Sequence, residues 1–544
     1  GTYGALAIDA AGNWTYTAVD SPAIQVLGAG DSVTDTLTVT TADGTTHNVS
    51  ISINGVNEIV DESPELSPQE GEILVNNAAE LFQVLSEAVG GEVIVLSPGE
   101  YGELELWRFE FGSEVVIRSL DPSNMAAFTK MDLDDVANLT FDSIHIDYEF
   151  EDGVTARWTN AVDIRDCNNV SFINSKFEGD LATSGSSPDV EPGTEDSSGN
   201  IIGYPAATAA GFYDSTNIVF SGNDVTQFFT GISFTGVDGV QFSDNEIHNL
   251  RTTPLRGGDV RNMSIDDNYF HSSEPWAYGG SGDHGDFVHF WIRNDQAEPS
   301  GNISITGNYF SQGEGESLLG IYLDNNGMMD GVQFENVQIE NNVIHNGDMQ
   351  GIRLEGVQGA TVTKNTLLQS SGDAQDGPGI VLANGVDNIV ITDNILSGLI
   401  SEGSGSEFNG VVTDDGNLFV QRQDQEGENY VADLFVNPLN PLASWEDLMV
   451  LPNSIIEESG IGAVQLYFDQ TPDGFAGYLR YDVGDGASLM SHDFSLPNLF
   501  DENGPVDLSS ASISWSFGDG GTAAGVSPVY QFDSAGEYEV QATI

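Results

Sequence analysis

Basic side chains are rare in this chain, and they concentrate in one window together with half of the histidines. The 544 residues carry 14 Lys+Arg against 85 Asp+Glu, a formal net charge of −71 at pH 7. Arginine can pair with a carboxylate through two hydrogen bonds, and histidine exchanges a proton near neutral pH. Residues 248–293 therefore predict a site for proton transfer on an acidic ligand. The window holds His248, Arg251, Arg256, Arg261, His271, His284, His289 and Arg293.

A repeated strand unit predicts which side chains of this window point outward. The unit at 231–236 begins Gly-Ile and places a second apolar residue two positions after the Ile. It recurs at 320–325, 351–356 and 379–384. Residues two apart in a strand share a face, so the apolar pair points inward and the residues between them point outward. Matching Val288 and Phe290 to this pattern turns His289 and Trp291 outward.

Stacking of these units predicts an outward strip of side chains. Neighbouring strands lie about 4.8 Å apart, so equivalent outward residues form a ladder from strand to strand. Matching Leu255 to Leu323 turns Arg256 outward as well. The predicted strip is Arg256, His289, Tyr322 and Arg353.

The residue types of this strip fit chemistry on an acidic sugar polymer. We predict that His289 and Tyr322 are the base and acid that remove and supply a proton. Removing the C5 proton of a uronate builds negative charge on its carboxylate, which Arg256 or Ca²⁺ can neutralise. His284 completes the predicted catalytic set. Aromatic rings can stack on sugars, and guanidinium groups can pair with carboxylates. The predicted substrate contacts are Arg353, Trp291, Arg293, Tyr278, Asp324 and Arg251.

An insertion at 276–286 combines aromatic residues, glycines and carboxylates. Asp283 and Asp286 flank His284 there, which predicts a metal site, and calcium is the expected ion in so acidic a chain. The alternative is that His284 only anchors its loop.

Structural alternatives also exist for three members of the strip. His289 could be a solvated ladder residue, and Arg353 could form an ordinary surface pair with Glu355. Trp291 could be covered by the 271–285 insertion and serve packing alone.

A second repeat, built around asparagine, predicts the fold. Successive copies are 22, 23, 40, 34, 23 and 29 residues apart, the short gaps fitting bare turns of about three strands and the long gaps fitting loop insertions. An Asn at the same bend of each turn can stack its amide on the next. The copies are Asn223, Asn245, Asn268, Asn308, Asn342, Asn365 and Asn394. The pattern predicts an all-β chain built on a parallel β-helix.

The chain divides into five predicted segments. Residues 1–59 alternate apolar and polar in short strands, and 60–71 form a linker rich in Pro, Ser and Glu. The β-helix is predicted for 72–400, with a capping helix that begins near Asn77 and ends before Gly90-Gly91. Residues 401–508 finish the solenoid and form an acidic connection, and 509–544 form a last small β-sandwich.

Composition also excludes several classes of function. The shortage of Lys and Arg argues against nucleic-acid binding and against docking on an anionic membrane. No apolar run is long enough to span a bilayer. Cys167 is the only cysteine, which excludes an intrachain disulfide and a cysteine-based metal site. The first residue, Gly1, suggests a segment of a longer secreted protein, and we expect a monomer.

Four stretches carry family resemblances. Residues 1–58, with "NWTYT" and "ISINGVN", resemble the C-terminal half of a VCBS or cadherin-like repeat, and "WSFGDG" with "GEYEV" resembles a PKD domain. The stretch "LFQVLSEAVGGEVIVLSPGEYGEL" followed by "VVIRSLDPS" resembles polysaccharide lyase family 6, and the order Tyr278-Gly279…Asp283-His284 is similar to mannuronan C5-epimerases. The lyase resemblance implies a right-handed β-helix, a Lys base, an Arg acid and Ca²⁺. Arg256 matches the Arg, whereas Lys364 lies on the Asn-bearing strand.

The function predicted from these features is cleavage of an acidic uronate polysaccharide by β-elimination outside the cell. A C5-epimerase using the same residues is the first alternative. An inverting glycoside hydrolase would need two separated carboxylates, such as Asp286 with Asp324 or Asp259 with Asp283. A carbohydrate-binding adhesin without catalysis is the last alternative, which the gathering of histidines disfavours.

Overall fold

The structure is a computed structural model of the chain, and it divides into two compact units, Gly1–Ser67 and Pro68–Ile544. It describes residues 2–8, 14–18, 32–40, 45–54, 67–150, 159–182, 194–195, 201–202, 204–275, 277–278, 281–282, 285–325, 333–371, 377–403, 412–424, 429–445, 447–451, 454–456, 459–463, 476–477, 480–483, 491–495, 499–501, 504–505, 513–518, 520–525, 528–531 and 541–543. No helix among these residues is long and apolar enough to cross a membrane.

The first unit contains two antiparallel strand pairs. Gly4–Ile8 pairs with Trp14–Ala18, and Ser32–Thr40 pairs with Thr46–Asn54. The buried carboxylate of Asp35 accepts a hydrogen bond of 2.7 Å from the Tyr16 hydroxyl, which ties the two pairs together. The resemblance of this segment to a VCBS repeat stays a prediction.

The second unit begins with the strand Ile73–Val75, and the predicted capping helix, α1 (Ala78–Glu87), follows it. Asn77 caps it by accepting a hydrogen bond of 3.0 Å from the Glu80 backbone amide, while the Glu80 carboxylate accepts one from the Asn76 amide. Leu81 and Leu85, one turn apart, are buried over the first strands of the solenoid. These strands are Ile73–Val75, Val93–Leu96, Glu100–Ser119 and Ala127–Asp142.

The rest of the solenoid is a parallel β-helix with three faces, as predicted. Each turn of chain, here called a rung, contributes one strand to each face, and strands of successive rungs pair in parallel. Face A consists of Asn160–Arg165, Thr208–Tyr213, the first part of Thr230–Ser243, the first part of Leu255–Asp266, Asp286–Trp291, Leu319–Asp324, Gln350–Leu354, Gly379–Leu382 and Ile400–Glu402.

Faces B and C complete each rung. Face B consists of Asn168–Ile173, Thr216–Ser221, the second parts of Thr230–Ser243 and Leu255–Asp266, Ser300–Thr306, Phe334–Glu340, Val357–Thr363, Asp387–Thr392 and Val412–Asp415. Face C consists of His145–Asp147, Lys176–Glu178, Asp224–Thr226, Glu246–His248, Tyr269–His271, Tyr309–Ser311, Val343–Asn346, Thr366–Gln369, Ile395–Leu396 and Leu418–Gln421.

The core runs along the axis between the three faces. Equivalent apolar residues stack from rung to rung, as Phe220 does on Phe242 with ring centroids 5.4 Å apart and planes 5° apart. Both rings are fully buried, and each such side chain stabilises the fold by about 1.5–3 kcal/mol. The inward apolar pairs predicted from the Gly-Ile unit are part of this core.

The predicted asparagine ladder lies at the corner between faces B and C. The Asn308 side-chain amide donates to Asn342 Oδ1 at 2.9 Å and to the Ile265 carbonyl at 2.8 Å, and both asparagines are fully buried. The same pattern repeats along the chain and extends one rung further, to Asn417. The residue before each ladder Asn has a positive φ, such as Gly307 and Asn341, which sets the sharp bend.

The remaining described elements flank the solenoid. A segment with Asn429–Tyr430 and the 3₁₀-helix Val431–Asp433 packs on face C, where Ala443 accepts a hydrogen bond of 2.6 Å from Tyr309. Short pairs in insertions are Leu181–Ala182 with Tyr204–Pro205, Thr194–Glu195 with Ile201–Ile202, and Ala277–Tyr278 with Ser281–Gly282. The last strands are Ala476–Gly477, Arg480–Val483, Ser491–Ser495, Leu499–Asp501, Gly504–Pro505, Ser514–Ser516, Thr522–Ala524, Val529–Gln531 and Gln541–Thr543.

Candidate functional site

The predicted strip exists on face A. Arg256 pairs in register with His289, His289 with Tyr322, and Tyr322 with Arg353. One step of the prediction is wrong: Leu255 pairs with Val288, which places it opposite Ile321 and not Leu323. The two-residue shift moves Arg256 into direct register with His289, because this rung enters face A through a turn that lacks the Gly-Ile start.

His289 lies between two carboxylates. Its Nδ1 is 3.2 Å from Asp286 Oδ2, and its Nε2 is 3.8 Å from Asp324 Oδ2. Asp286 begins the same strand and is fully buried, whereas Asp324 lies on the next rung and is partly exposed. The imidazole therefore lies between a fully buried carboxylate and a partly exposed one, and its Nε2 is itself buried.

These carboxylates control the protonation of His289. Burial lowers its pKa, but the hydrogen bonds and charges of Asp286 and Asp324 outweigh burial and raise the pKa to about 9. His289 is thus an imidazolium at neutral pH, and its base form becomes the major species only in alkaline solution.

Tyr322 stacks on His289. Their ring centroids are 5.0 Å apart and their planes differ by 13°. The pKa of Tyr322 is raised, first by burial and then by the charges of Asp324 and Glu355, while Arg353 acts in the opposite direction. The phenol therefore keeps its proton over the physiological range and can donate it.

The two arginines of the strip differ in their partners. Arg353 lies 5.3 Å from the Tyr322 ring centre, is hydrogen-bonded to Glu355, and donates to Gln350 Oε1 at 2.6 Å. Among the described residues, Arg256 has no carboxylate within ion-pair distance, and its Nε is buried without a hydrogen-bond partner. Burial lowers the pKa of Arg256, opposed by the nearby Tyr213. Arg256 is thus a partly buried guanidinium whose Nε has no described hydrogen-bond partner.

Trp291 extends the strip beside His289. The rings of the two residues lie edge to face, with centroids 5.5 Å apart. Gly258, the register partner of Trp291, makes room for the indole, since a Cβ there would come 2.7 Å from Trp291 Nε1 and 3.0 Å from Arg293 Cγ. Sequence reasoning missed Gly258, although the Gly257-Gly258 pair inside a strand was a signal of close approach.

The structure separates other residues of the window from the strip. His248 and His271 lie on face C, where they stack at 5.0 Å and pair with Asp224 and Glu246. The window spans more than one full rung, so its histidines project from different faces.

Two predicted substrate contacts are already engaged within the protein. Arg293 forms a two-point ion pair with Asp295, at 3.0 and 2.9 Å. Arg251 is only 4% exposed and lies 5.2 Å from the Phe229 ring centre, so it is not offered to the surface of the strip.

Of the residues in the predicted metal site, the structure describes only Asp286, and Asp286 does not support the site. Asp283 and His284 lie outside the described residues, as does the side chain of Tyr278. Asp286 is described, and it is fully buried and directed at His289, which does not fit an accessible calcium ligand. Among the described residues, His145, Asp147 and Glu178 converge on face C, but a histidine nitrogen does not suit calcium either.

Comparison with known families supports the fold assignments. A family of right-handed β-helix regions matches residues 160–395 and 296–425, and the PKD domain family matches residues 498–544. The solenoid is therefore the right-handed parallel β-helix that was predicted, and the C-terminal PKD prediction is confirmed. No relative was found among curated protein sequences.

Solved structures similar to this chain include enzymes and an adhesin. The A-module of a mannuronan C-5 epimerase from Azotobacter vinelandii is 13% identical, covers 64% of this chain and 89% of its own, and has a TM-score of 0.40. A PL6-family polysaccharide lyase from Pseudopedobacter saltans is 15% identical, with coverages of 72% and 99% and a TM-score of 0.32. A surface adhesin of Streptococcus pneumoniae is 12% identical, with coverages of 63% and 91% and a TM-score of 0.35. At these TM-scores the likenesses carry no functional argument.

Proposed function

We propose that the face A strip binds an extracellular acidic polysaccharide that contains uronate and cleaves it by β-elimination. The observation that carries this proposal is the pairing in register of Arg256, a half-buried cation without a described carboxylate partner, with His289, a histidine held by two carboxylates. An anion binder directly beside a proton-transfer group is what abstraction of a proton next to a carboxylate requires.

Binding begins with the uronate carboxylate at Arg256. In a chain of net charge −71, a repulsive field opposes an anionic polymer almost everywhere, so the polymer must find the few cations that are not already neutralised. Arg256 is such a cation. Trp291, held over Gly258, offers an indole for the sugar ring beside it.

The elimination then uses the two stacked rings. His289, in its neutral form, takes the C5 proton, and the C5–H electron pair forms the C4=C5 double bond. The C4–O bond breaks, and the leaving oxygen receives the proton of the Tyr322 hydroxyl. Arg256 stabilises the charge that develops on the carboxylate, and Asp286 is a positioning residue that holds the imidazole. No step is assigned to calcium, because the described residues do not fit it.

A C5-epimerase is the second candidate, because it shares the first proton abstraction. Epimerisation returns a proton to the opposite side of C5. His289 and Tyr322 are neighbours on one strip of one face, which favours taking and giving protons from the same side of the sugar. The observation therefore favours elimination.

An inverting hydrolase has less support. Asp286 is fully buried behind His289, and Asp259 is hydrogen-bonded to Arg261, so neither offers the accessible carboxylate that such a mechanism needs.

The test measures the ultraviolet absorbance of the unsaturated product on a panel of uronate polymers, with the parent protein, His289→Ala and His248→Ala. We expect a rising signal that His289→Ala loses and His248→Ala keeps, since His248 lies on face C. Absence of the signal on every polymer would contradict elimination. NMR of the same samples then detects epimerised sugars, and a reducing-end assay detects hydrolysis.

A further inference from the structure

A segment that follows the last rungs packs on the outer side of face C. It consists of the described residues 429–445, 447–451, 454–456 and 459–463, here called the cover. Its apolar side chains, such as Leu434 and Phe435, form with face C a buried cluster that is separate from the axial core. The members of that cluster on face C are Tyr309, Val343, Leu368, Ile395 and Val420. The cover therefore keeps water away from an apolar surface of the solenoid.

One histidine lies within this apolar layer. His345 follows Ile344, which points into the axial core, so the imidazole points outward on the same side as Val343. Its partner in register on the next rung is Leu368. His345 is fully buried, and neither of its ring nitrogens has a hydrogen-bond partner. Burying a charge without a partner costs far more than burying a neutral polar group, so His345 fits beneath the cover only as the neutral imidazole.

The charge that acts on His345 is positive. Arg422 follows the last strand of face C, where it donates to the Gln369 carbonyl at 2.9 Å and to the Leu439 carbonyl in the cover at 2.7 Å. Among the described residues, no carboxylate lies within ion-pair distance of His345. Burial first, and then the charge of Arg422, lower the pKa of His345 to about 3.

The other described titratable groups of the surrounding elements are directed elsewhere. The Tyr309 hydroxyl donates to a backbone carbonyl of the cover at 2.6 Å. Asp447 accepts hydrogen bonds from an asparagine side chain and a backbone amide within the cover, and Asp433 is exposed. Tyr430 acts on the guanidinium that ties the cover to face C. A proton added to His345 is thus not balanced by any described negative group.

We propose that the contact between the cover and face C is a pH-sensitive switch, in which the cover stays bound while His345 is neutral and detaches when His345 takes a proton. Protonation places a second cation beside Arg422 in a layer of apolar side chains. Detachment lets the imidazolium reach water and exposes apolar residues such as Val343 and Leu368. The axial core lies on the inner side of the same strand, so the rungs persist. This inference is independent of the proposed function.

Proton linkage gives the direction and the steepness of the switch. With the cover detached, His345 regains its ordinary pKa of 6.5, whereas its pKa is about 3 with the cover bound. The detached state therefore binds the extra proton. Its population, relative to the bound state, rises about tenfold for each pH unit as pH falls from 6.5 toward 3. Above pH 6.5 the equilibrium does not depend on His345.

Hydrogen–deuterium exchange of the full chain between about pH 7 and pH 5 tests the switch. Two backbone amides report on the contact, because Gly462 donates to the Asp393 carbonyl at 2.8 Å and Ala463 donates to the Thr366 hydroxyl at 2.9 Å. Their exchange rates are corrected for the intrinsic effect of pH on amide exchange. The Asn308 backbone amide, which donates to the buried ladder, is the reference for the solenoid itself.

The variants remove the titrating group and keep the fold. His345→Leu uses the side chain that Leu368 places in the same column of the next rung. His345→Gln keeps a polar side chain that does not titrate, and it replaces the leucine variant if that variant does not fold. The matched control is His248→Leu, which removes a partly exposed histidine of the same column three rungs away.

We expect the corrected exchange rates of the two reporter amides to rise about tenfold per pH unit below pH 6.5 in the parent and in His248→Leu. In His345→Leu and His345→Gln the rates should change little over the same range. Rates in the parent that do not rise would overturn the switch. An equal rise in the parent and the His345 variants would assign it to other groups, and an equal rise at Asn308 would show unfolding of the whole solenoid. Each of these two results would also overturn the proposal.

Discussion

The ring of Tyr322 stacks on the ring of His289 one rung away, with centroids 5.0 Å apart and planes within 13°. The β-helix produces this contact because equivalent residues of successive rungs are held at the spacing of paired strands. The two rings that we propose as base and acid are thereby held side by side.

The pH dependence of activity follows from the carboxylates around His289. Its pKa is raised to about 9, so only about 1% of the base form is present at pH 7. We expect kcat/KM to rise about tenfold per pH unit from pH 7 and to level off above pH 9. A profile that is flat or falls over this range would contradict the assignment of His289 as the base.

The same pKa shift gives a prediction for stability. Because the pKa of folded His289 lies above its ordinary value of 6.5, the protonated form stabilises the native state fully below pH 6.5, and this contribution is lost as pH rises through about 9. Denaturant unfolding at several pH values should show the decline in the parent. The decline should be smaller in His289→Ala, and an equal decline in both proteins would assign it to other groups.

Asp286→Asn is expected to move the pKa of His289 downward. The substitution keeps the shape of the side chain but removes the negative charge 3.2 Å from Nδ1. NMR titration of the His289 ring should show the midpoint falling by a pH unit or more, and the rising limb of the activity profile should shift to lower pH with it. A midpoint that stays near 9 would mean that Asp324 alone sets the pKa.

Arg256→Ala is expected to weaken substrate binding strongly. A hydrogen-bonded pair with a charged group contributes about 1.5–3 kcal/mol, so KM should rise by roughly ten- to a hundredfold. Arg256→Lys should recover only part of this, because Lys cannot form the two-point pair. Arg108→Ala, which removes an exposed arginine paired with Asp135, serves as the control and should leave KM unchanged.

Asn308→Ala tests the buried ladder. The change removes hydrogen bonds to Asn342 and to the Ile265 carbonyl and leaves groups of Asn268 without their acceptor. Each buried polar group left unsatisfied costs about 1–3 kcal/mol, so the free energy of unfolding should fall by about 3 kcal/mol or more. Asn302→Gly is the control, since Asn302 belongs to an exposed amide row and has a positive φ that glycine adopts freely. A similar fall in the free energy of unfolding in both variants would contradict the special role of the buried asparagine ladder.

The sequence by itself determined the repeating architecture. The spacing of the asparagines predicted the rungs and their insertions, and Asn308 donates to Asn342 as that spacing required. Alternation around Val288 and Phe290 predicted the outward direction of His289 and Trp291. These features are local or strictly periodic, so a single chain displays them before it folds.

Only the tertiary structure decided which of the clustered residues share a surface. His248 and His271 are close to His289 in sequence, yet a three-sided rung turns them onto face C. Asp286, predicted as a metal ligand, proved to be the buried partner of His289, and Arg251 proved to be buried beside Phe229. The tertiary structure also decided that Leu255 pairs with Val288. The length of the turn before a strand fixes where the strand enters the face, and the apolar pattern of the strand does not.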